Sequence, residues 1–92
     1  MITVFLSVYH FDGDPAALLP GYDRMFAGLQ PDGVHACVVR EDGISVYDGC
    51  PTRAEFEAFS TGEAFRTALA TAGLPSPRIE ALGEVHEPAM AT

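Results

Sequence analysis

The sequence predicts an α+β domain in the order strand, helix, strand, strand, helix, strand. Three observations predict it. Four short segments alternate between two kinds of side chain, two stretches between them carry helical spacing, and Glu41-Asp42-Gly43 joins the middle strands as a hairpin. One face of the strands is aliphatic: Ile2, Val4, Leu6 and Val8, then Val34, Ala36 and Val38, then Ile44 and Val46, then Ile79 and Ala81. The other is mixed: Phe5, Ser7 and Tyr9, then His35, Cys37 and Val39, then Ser45 and Tyr47, then Leu82, Glu84 and His86.

The first strand spans Ile2 to Tyr9 and ends in a turn-rich stretch from His10 to Gly13. Asp14 before Pro15 is an N-cap followed by proline at the first helical position. The helix there places Leu18, Tyr22, Met25, Phe26 and Leu29 on one stripe. Pro20-Gly21 predicts a kink or restart, since an interior proline costs about 3 kcal/mol. Gln30-Pro31-Asp32-Gly33 ends the helix. Strands two and three follow at Val34–Arg40 and Ile44–Asp48. The Asp-Gly pair between them is the signal of a type I′ turn.

Thr52 with Glu55 three residues on is a capping box for the second helix. Phe56 and Phe59 form its stripe. Ser60-Thr61-Gly62 breaks it, and Phe65, Ala68, Leu69 and Ala72 resume it. Gly73 ends it at C′ and Pro75 prevents continuation. Strand four runs from Arg78 to His86, and Glu87 to Thr92 reads as a tail. The whole of residues 1–92 makes one domain.

Two interlocked crossovers sharing a hairpin give the ferredoxin-like split arrangement, a four-stranded antiparallel sheet with both helices on one face. The aliphatic face is expected under the helices and the mixed face uncovered. Phe5, Tyr9, Val39, Tyr47 and Leu82 make that second face too apolar for water, which predicts a symmetric dimer, sheet against sheet. A chain of 92 residues buries only roughly 60–65% of its unfolded surface, so dimerisation also adds needed stability.

Charge excludes some partners. Thirteen acidic residues against five arginines and no lysine give a net charge of −8. Nucleic acid and anionic membrane surfaces require the opposite sign. The start has no basic leader and no apolar run reaches the ~20 residues of a membrane span. Cys37 and Cys50 read as free thiols, and the chain as cytoplasmic. No histidine pair has ligand spacing, so no metal is expected. No phosphate loop, serine elbow or nucleotide fingerprint is present, so no cofactor is expected either.

The segment from Val46 to Phe59, with Tyr47-Asp48-Gly49-Cys50-Pro51-Thr52 leading into Glu55 and the paired Phe56 and Phe59, resembles the strand-three-to-helix-two segment of the dimeric α+β barrel superfamily. That superfamily includes antibiotic-biosynthesis monooxygenase-like and stress-responsive barrel proteins. The likeness covers residues 2–86. Gly13-Asp14-Pro15 and Ala72-Gly73-Leu74-Pro75 resemble small actinobacterial members in particular. Cys50 stands where many relatives carry tryptophan. The resemblance implies a homodimer with a hydrophobic small molecule in the barrel. It implies either a cofactor-independent monooxygenase or a proton-transfer cyclase or isomerase on an aromatic or polyketide-like substrate. Haem-binding relatives use a helical histidine, and neither helix here has one.

Strand alternation then nominates the residues. His35 and Tyr47 are expected together on the second face, histidine as base and tyrosine as donor to an oxyanion. Glu84 and His86 share a face of strand four and are further candidates for the proton work. Phe5, Ser7, Tyr9, Val39 and Leu82 would shape the pocket. A non-catalytic binding or structural dimer fits the same pattern, with these rings simply filling the interface.

Overall fold

The computed structural model describes residues 3–26 and 34–86. Ile2, Leu29, the turn at 30–33 and the tail at 87–92 lie outside the described residues. The elements are β1 (Phe5–Asp12), α1 (Pro15–Phe26), β2 (His35–Arg40), β3 (Gly43–Cys50), α2 (Arg53–Ser60), α3 (Glu63–Ala72) and β4 (Arg78–Glu84). The fold is α+β, with an open antiparallel sheet of order β2-β3-β1-β4 and three helices. This order is consistent with the ferredoxin-like arrangement. No helix among the described residues is long and apolar enough to cross a membrane.

Local chemistry sets the ends of the elements. Asp14 caps α1, its carboxylate accepting from Ala16 N–H at 3.0 Å. Thr52 caps α2, accepting from Glu55 N–H at 3.1 Å. Gly73 ends α3 at φ +77°, and Leu74 N–H returns to the Leu69 carbonyl at 2.9 Å. The break at Ser60-Thr61-Gly62 separates α2 from α3, as the sequence predicts.

Two expectations about the elements fail, and of the kink or restart expected at Pro20 the restart does not occur: Pro20 sits inside α1 without ending it. Its residue is exposed, so only the Ala16 carbonyl loses a helical partner, on a side where water can replace it. β1 continues through His10, Phe11 and Asp12, each paired with β3, so this stretch is strand and not turn. β4 stops at Glu84, leaving His86 beyond it.

The larger correction concerns the faces. All three helices pack on the mixed face of β1, not the aliphatic one. Phe5, Tyr9 and Phe11 share one buried cluster with Leu18, Phe56, Phe65 and Leu69. Phe5 meets Phe56 with ring centroids 5.4 Å apart, and Tyr9 meets Phe65 at the same separation. Aromatic rings bury the most apolar area per residue, so the ring-bearing side of β1 wins the helices. The uncovered face carries Leu6, Val8 and His10 instead. Val8 is nonetheless only 2% exposed, flanked by its cross-strand partners Tyr47 and Glu80.

The β2–β3 hairpin closes on two residues, Glu41 and Asp42, with Arg40 opposite Gly43. Neither turn residue has positive φ, and Gly43 is not among the glycines that do, so this is no type I′ turn. Gly43 is required for another reason: a Cβ there would collide with the Phe11 carbonyl oxygen.

Candidate functional site

The hairpin register decides which reactive side chains meet. With Arg40 opposite Gly43, His35 stands opposite Asp48 and Ala36 opposite Tyr47. His35 and Tyr47 therefore lie on opposite faces of the sheet. The expected pair does not form. A three-residue loop would have put them together, and the two-residue turn moves the register by one.

His35 finds other partners beneath α1. Its Nε2 lies 2.8 Å from Tyr22 Oη, and its Nδ1 lies 3.4 Å from Asp48 Oδ1. With Asp48 accepting from Nδ1–H, Nε2 is left to accept from the Tyr22 hydroxyl. The Tyr22 and Phe26 rings flank the imidazole, at centroid separations of 6.1 and 4.9 Å. Cys50 donates to the other Asp48 oxygen at 3.7 Å, and the Ser7 hydroxyl donates to the Asp48 carbonyl at 3.3 Å. Burial raises the pKa of Tyr22, and burial followed by the Asp48 charge raises that of Cys50. Both stay protonated and act as donors at neutral pH.

This Tyr22–His35–Asp48 chain can move a proton. The imidazole can take one through the Tyr22 phenol, while the carboxylate stabilises the resulting imidazolium. Sequence reading missed two of its members. Tyr22 reads as helix stripe, and Asp48 as strand end. A two-residue turn at Glu41-Asp42 would have paired Asp48 with His35 from the sequence alone.

The remaining expected site residues divide by place. Phe5, Ser7 and Tyr9 are buried beneath the helices, not on the uncovered face. Val39 is on the helix side but 58% exposed at the sheet edge. Leu82 lies at a bulge of β4, 45% exposed. Tyr47 is half-buried on the uncovered face. Glu84 and His86 are exposed at the end of β4 and beyond it, and nothing brings them to His35.

Two spaces lie near the chain of donors. A cavity of about 30 Å³ between sheet and helices is lined by Tyr9, Asp48, Met25, Phe26, Phe59 and Phe65 among others. A groove of about 310 Å³ lies between α1 and α3, lined by Arg24, Met25, Ala68, Thr71 and Ala72. Met25 belongs to both.

The uncovered face has its own polar end. Ser45 Oγ lies 2.8 Å from His10 Nδ1 and accepts from Arg40 Nε at 2.8 Å, and His10 Nε2 is 3.5 Å from Glu80. Arg78 grips Asp12 with two bonds of 2.8 and 3.0 Å. The Arg78 hydrogen bond first, with Arg40 adding to it, holds the Asp12 carboxyl at about 2 against an ordinary 3.8. A lowered carboxylate stabilises the fold above its unfolded value. That contribution is complete above about pH 4 and is lost as pH falls through about 2. We predict that Asp12→Asn flattens the fall in urea midpoint between about pH 5 and about pH 2.5. The difference should be modest and shrink in high salt, because the pair is exposed.

Comparison of the chain with protein-family models, with curated proteins and with solved structures finds no match.

Proposed function

We propose that this protein is a homodimer that binds a hydrophobic small molecule and moves a proton on it without a cofactor. In this reading it belongs to the dimeric α+β barrel superfamily. Its reaction is an oxygenation, or a cyclisation or isomerisation, of an aromatic or polyketide-like substrate. The observation that carries the reading is the Tyr22–His35–Asp48 chain beside an aromatic-lined cavity. Substrate acidity drives the chemistry: Tyr22 and His35 take the proton, and the carbanion then meets O₂ or closes a ring. The dimer is supported by the uncovered face, where Leu6 and Val38 stand without helices above them. The ligand sits between sheet and helices, entering through the groove between α1 and α3, whose volume suits a small ligand.

Native mass spectrometry tests the assembly. A dimer mass is expected, with hydrophobic ligand retained. The chemistry is tested by deuterium exchange at the activated carbon of an aromatic 1,3-diketone, followed by NMR. Wild type should accelerate exchange, and His35→Gln should lower that acceleration about 10²-fold or more while the dimer persists. Equal exchange by wild type and variant would sink the catalytic reading.

A second reading is favoured by the cavity's size. Pockets for drug-sized ligands run to roughly 300–1,000 Å³, against about 30 Å³ here. A non-catalytic structural dimer would show the dimer mass with no ligand retained and leave diketone exchange at the solvent rate.

A further inference from the structure

The side chain that the proton chain does not use is Tyr9. It is 4% exposed, and its hydroxyl is buried with no hydrogen-bond partner among the described residues. Burial, the largest influence, pushes this phenol up to about 12. Ser7 beside it offsets part of the rise, but its hydroxyl donates to the Asp48 carbonyl. Tyr9 therefore stays protonated, and among the described residues no acceptor lies within hydrogen-bond distance of its hydroxyl. A buried polar group left in this state costs about 1–3 kcal/mol. Such groups are usually satisfied by something bound.

The neighbouring space supplies the rest of a site. Tyr9 and Asp48 both line the 30 Å³ cavity. Among the described residues each Asp48 carboxylate oxygen makes one hydrogen bond, with His35 or with Cys50, and a carboxylate oxygen can accept twice. A water needs roughly 10–15 Å³ of such space and two or more polar partners. The other walls are Phe26, Phe59, Phe65 and Met25, so the site is apolar around one donor and one acceptor. Met25 also walls the outer groove, and its unbranched side chain can swing aside.

We propose that this cavity is a built site for one hydroxylic oxygen, with Tyr9 donating to it and Asp48 accepting from it. The occupant is a water or the hydroxyl of a small organic molecule entering past Met25. This deepens the proposed function, because it sets a ligand oxygen against the carboxylate that holds His35. Tyr9 then becomes the phenol that donates to a ligand oxygen, which Tyr47, on the far face, cannot be.

The test uses phenol and benzene as probes, followed by NMR of the full chain, with water-to-ring NOEs recorded alongside. Phenol should bind about tenfold or more tighter than benzene, the worth of one satisfied buried donor. Tyr9→Phe keeps the ring and should abolish the preference, and Asp48→Asn should weaken it. A water NOE to the Phe65 ring that vanishes with phenol identifies an organic hydroxyl as able to occupy the site. A persistent water NOE without phenol binding, absent in Tyr9→Phe, identifies water as the occupant. Equal binding of phenol and benzene with no water NOE overturns the proposal, as does a preference that survives Tyr9→Phe. If His35-dependent exchange remains while the phenol preference is missing, only this subsite fails. If the preference remains and His35 dependence is missing, only the catalytic reading fails.

Discussion

Phe56→Ala is expected to lower the unfolding free energy by about 3–5 kcal/mol. Phe56 is 6% exposed and lies against Phe5 and Tyr9, at centroid separations of 5.4 and 6.4 Å. Both partners stand on β1, which is paired on each side by β3 and β4, so they cannot move into the space that truncation leaves. The cavity term therefore adds in full to the lost transfer energy. Domains of this size have about 5–14 kcal/mol of total stability, so the loss is a large share of it. Urea denaturation should show the drop as a lower midpoint at constant slope. Phe59→Ala is the comparison, one turn away and 46% exposed. It should cost about 1–2 kcal/mol, because much of that ring is already in water. Similar losses at both positions would show that the ring cluster on β1 does not anchor the helices.

That cluster also shows where the sequence stops informing. The order of elements, the caps at Asp14, Thr52 and Gly73, and the break after Ser60 were legible because each depends on neighbours within four residues. The covered face of the sheet depends on partners up to sixty residues away. Alternation in β1 shows that Phe5, Ser7 and Tyr9 differ from Leu6 and Val8, but both sets are apolar enough to be buried. The deciding quantity is the volume the helices bring, and Phe56 and Phe65 demand rings opposite them. Of the expected site residues, His35 entered the donor chain and Tyr9 the cavity beside it. Tyr47 fell on the face away from His35, because Glu41-Asp42 closes the hairpin in two residues where a three-residue loop through Gly43 would have set the two together. An exposed Pro20 was survivable for a similar reason: its local cost is real, but α1 is held by Leu18 in the core and by Gly21 beneath Leu74.

Gly43→Ala tests the register and the site together. Gly43 pairs with Arg40 on β2 and with Asp12 on β1, so it sits where the hairpin joins the sheet. A methyl group there meets the Phe11 carbonyl oxygen, with the Phe11 carbonyl carbon 3.1 Å away. Arg40 can move, but backbone in a central strand cannot without parting β1 from β3. The expected cost is about 3 kcal/mol or more, in the range of overpacked cores and broken ladders. Gly73→Ala gives the scale. That glycine has φ +77° and open surroundings, the nearest atom being Arg24 Nη2 at 3.5 Å. Its substitution should cost about 1 kcal/mol, from left-handed backbone alone. A Gly43→Ala protein as stable as Gly73→Ala would mean that the β1–β3 pairing tolerates the methyl. The functional consequence follows from the same pair. Arg40 opposite Gly43 is what sets His35 opposite Asp48, and a slip by one residue would turn His35 away from Tyr22. Whatever Gly43→Ala protein remains folded should therefore show changed His35 ring chemical shifts by NMR and lose diketone exchange. Gly73→Ala, at the far end of α3, should keep both.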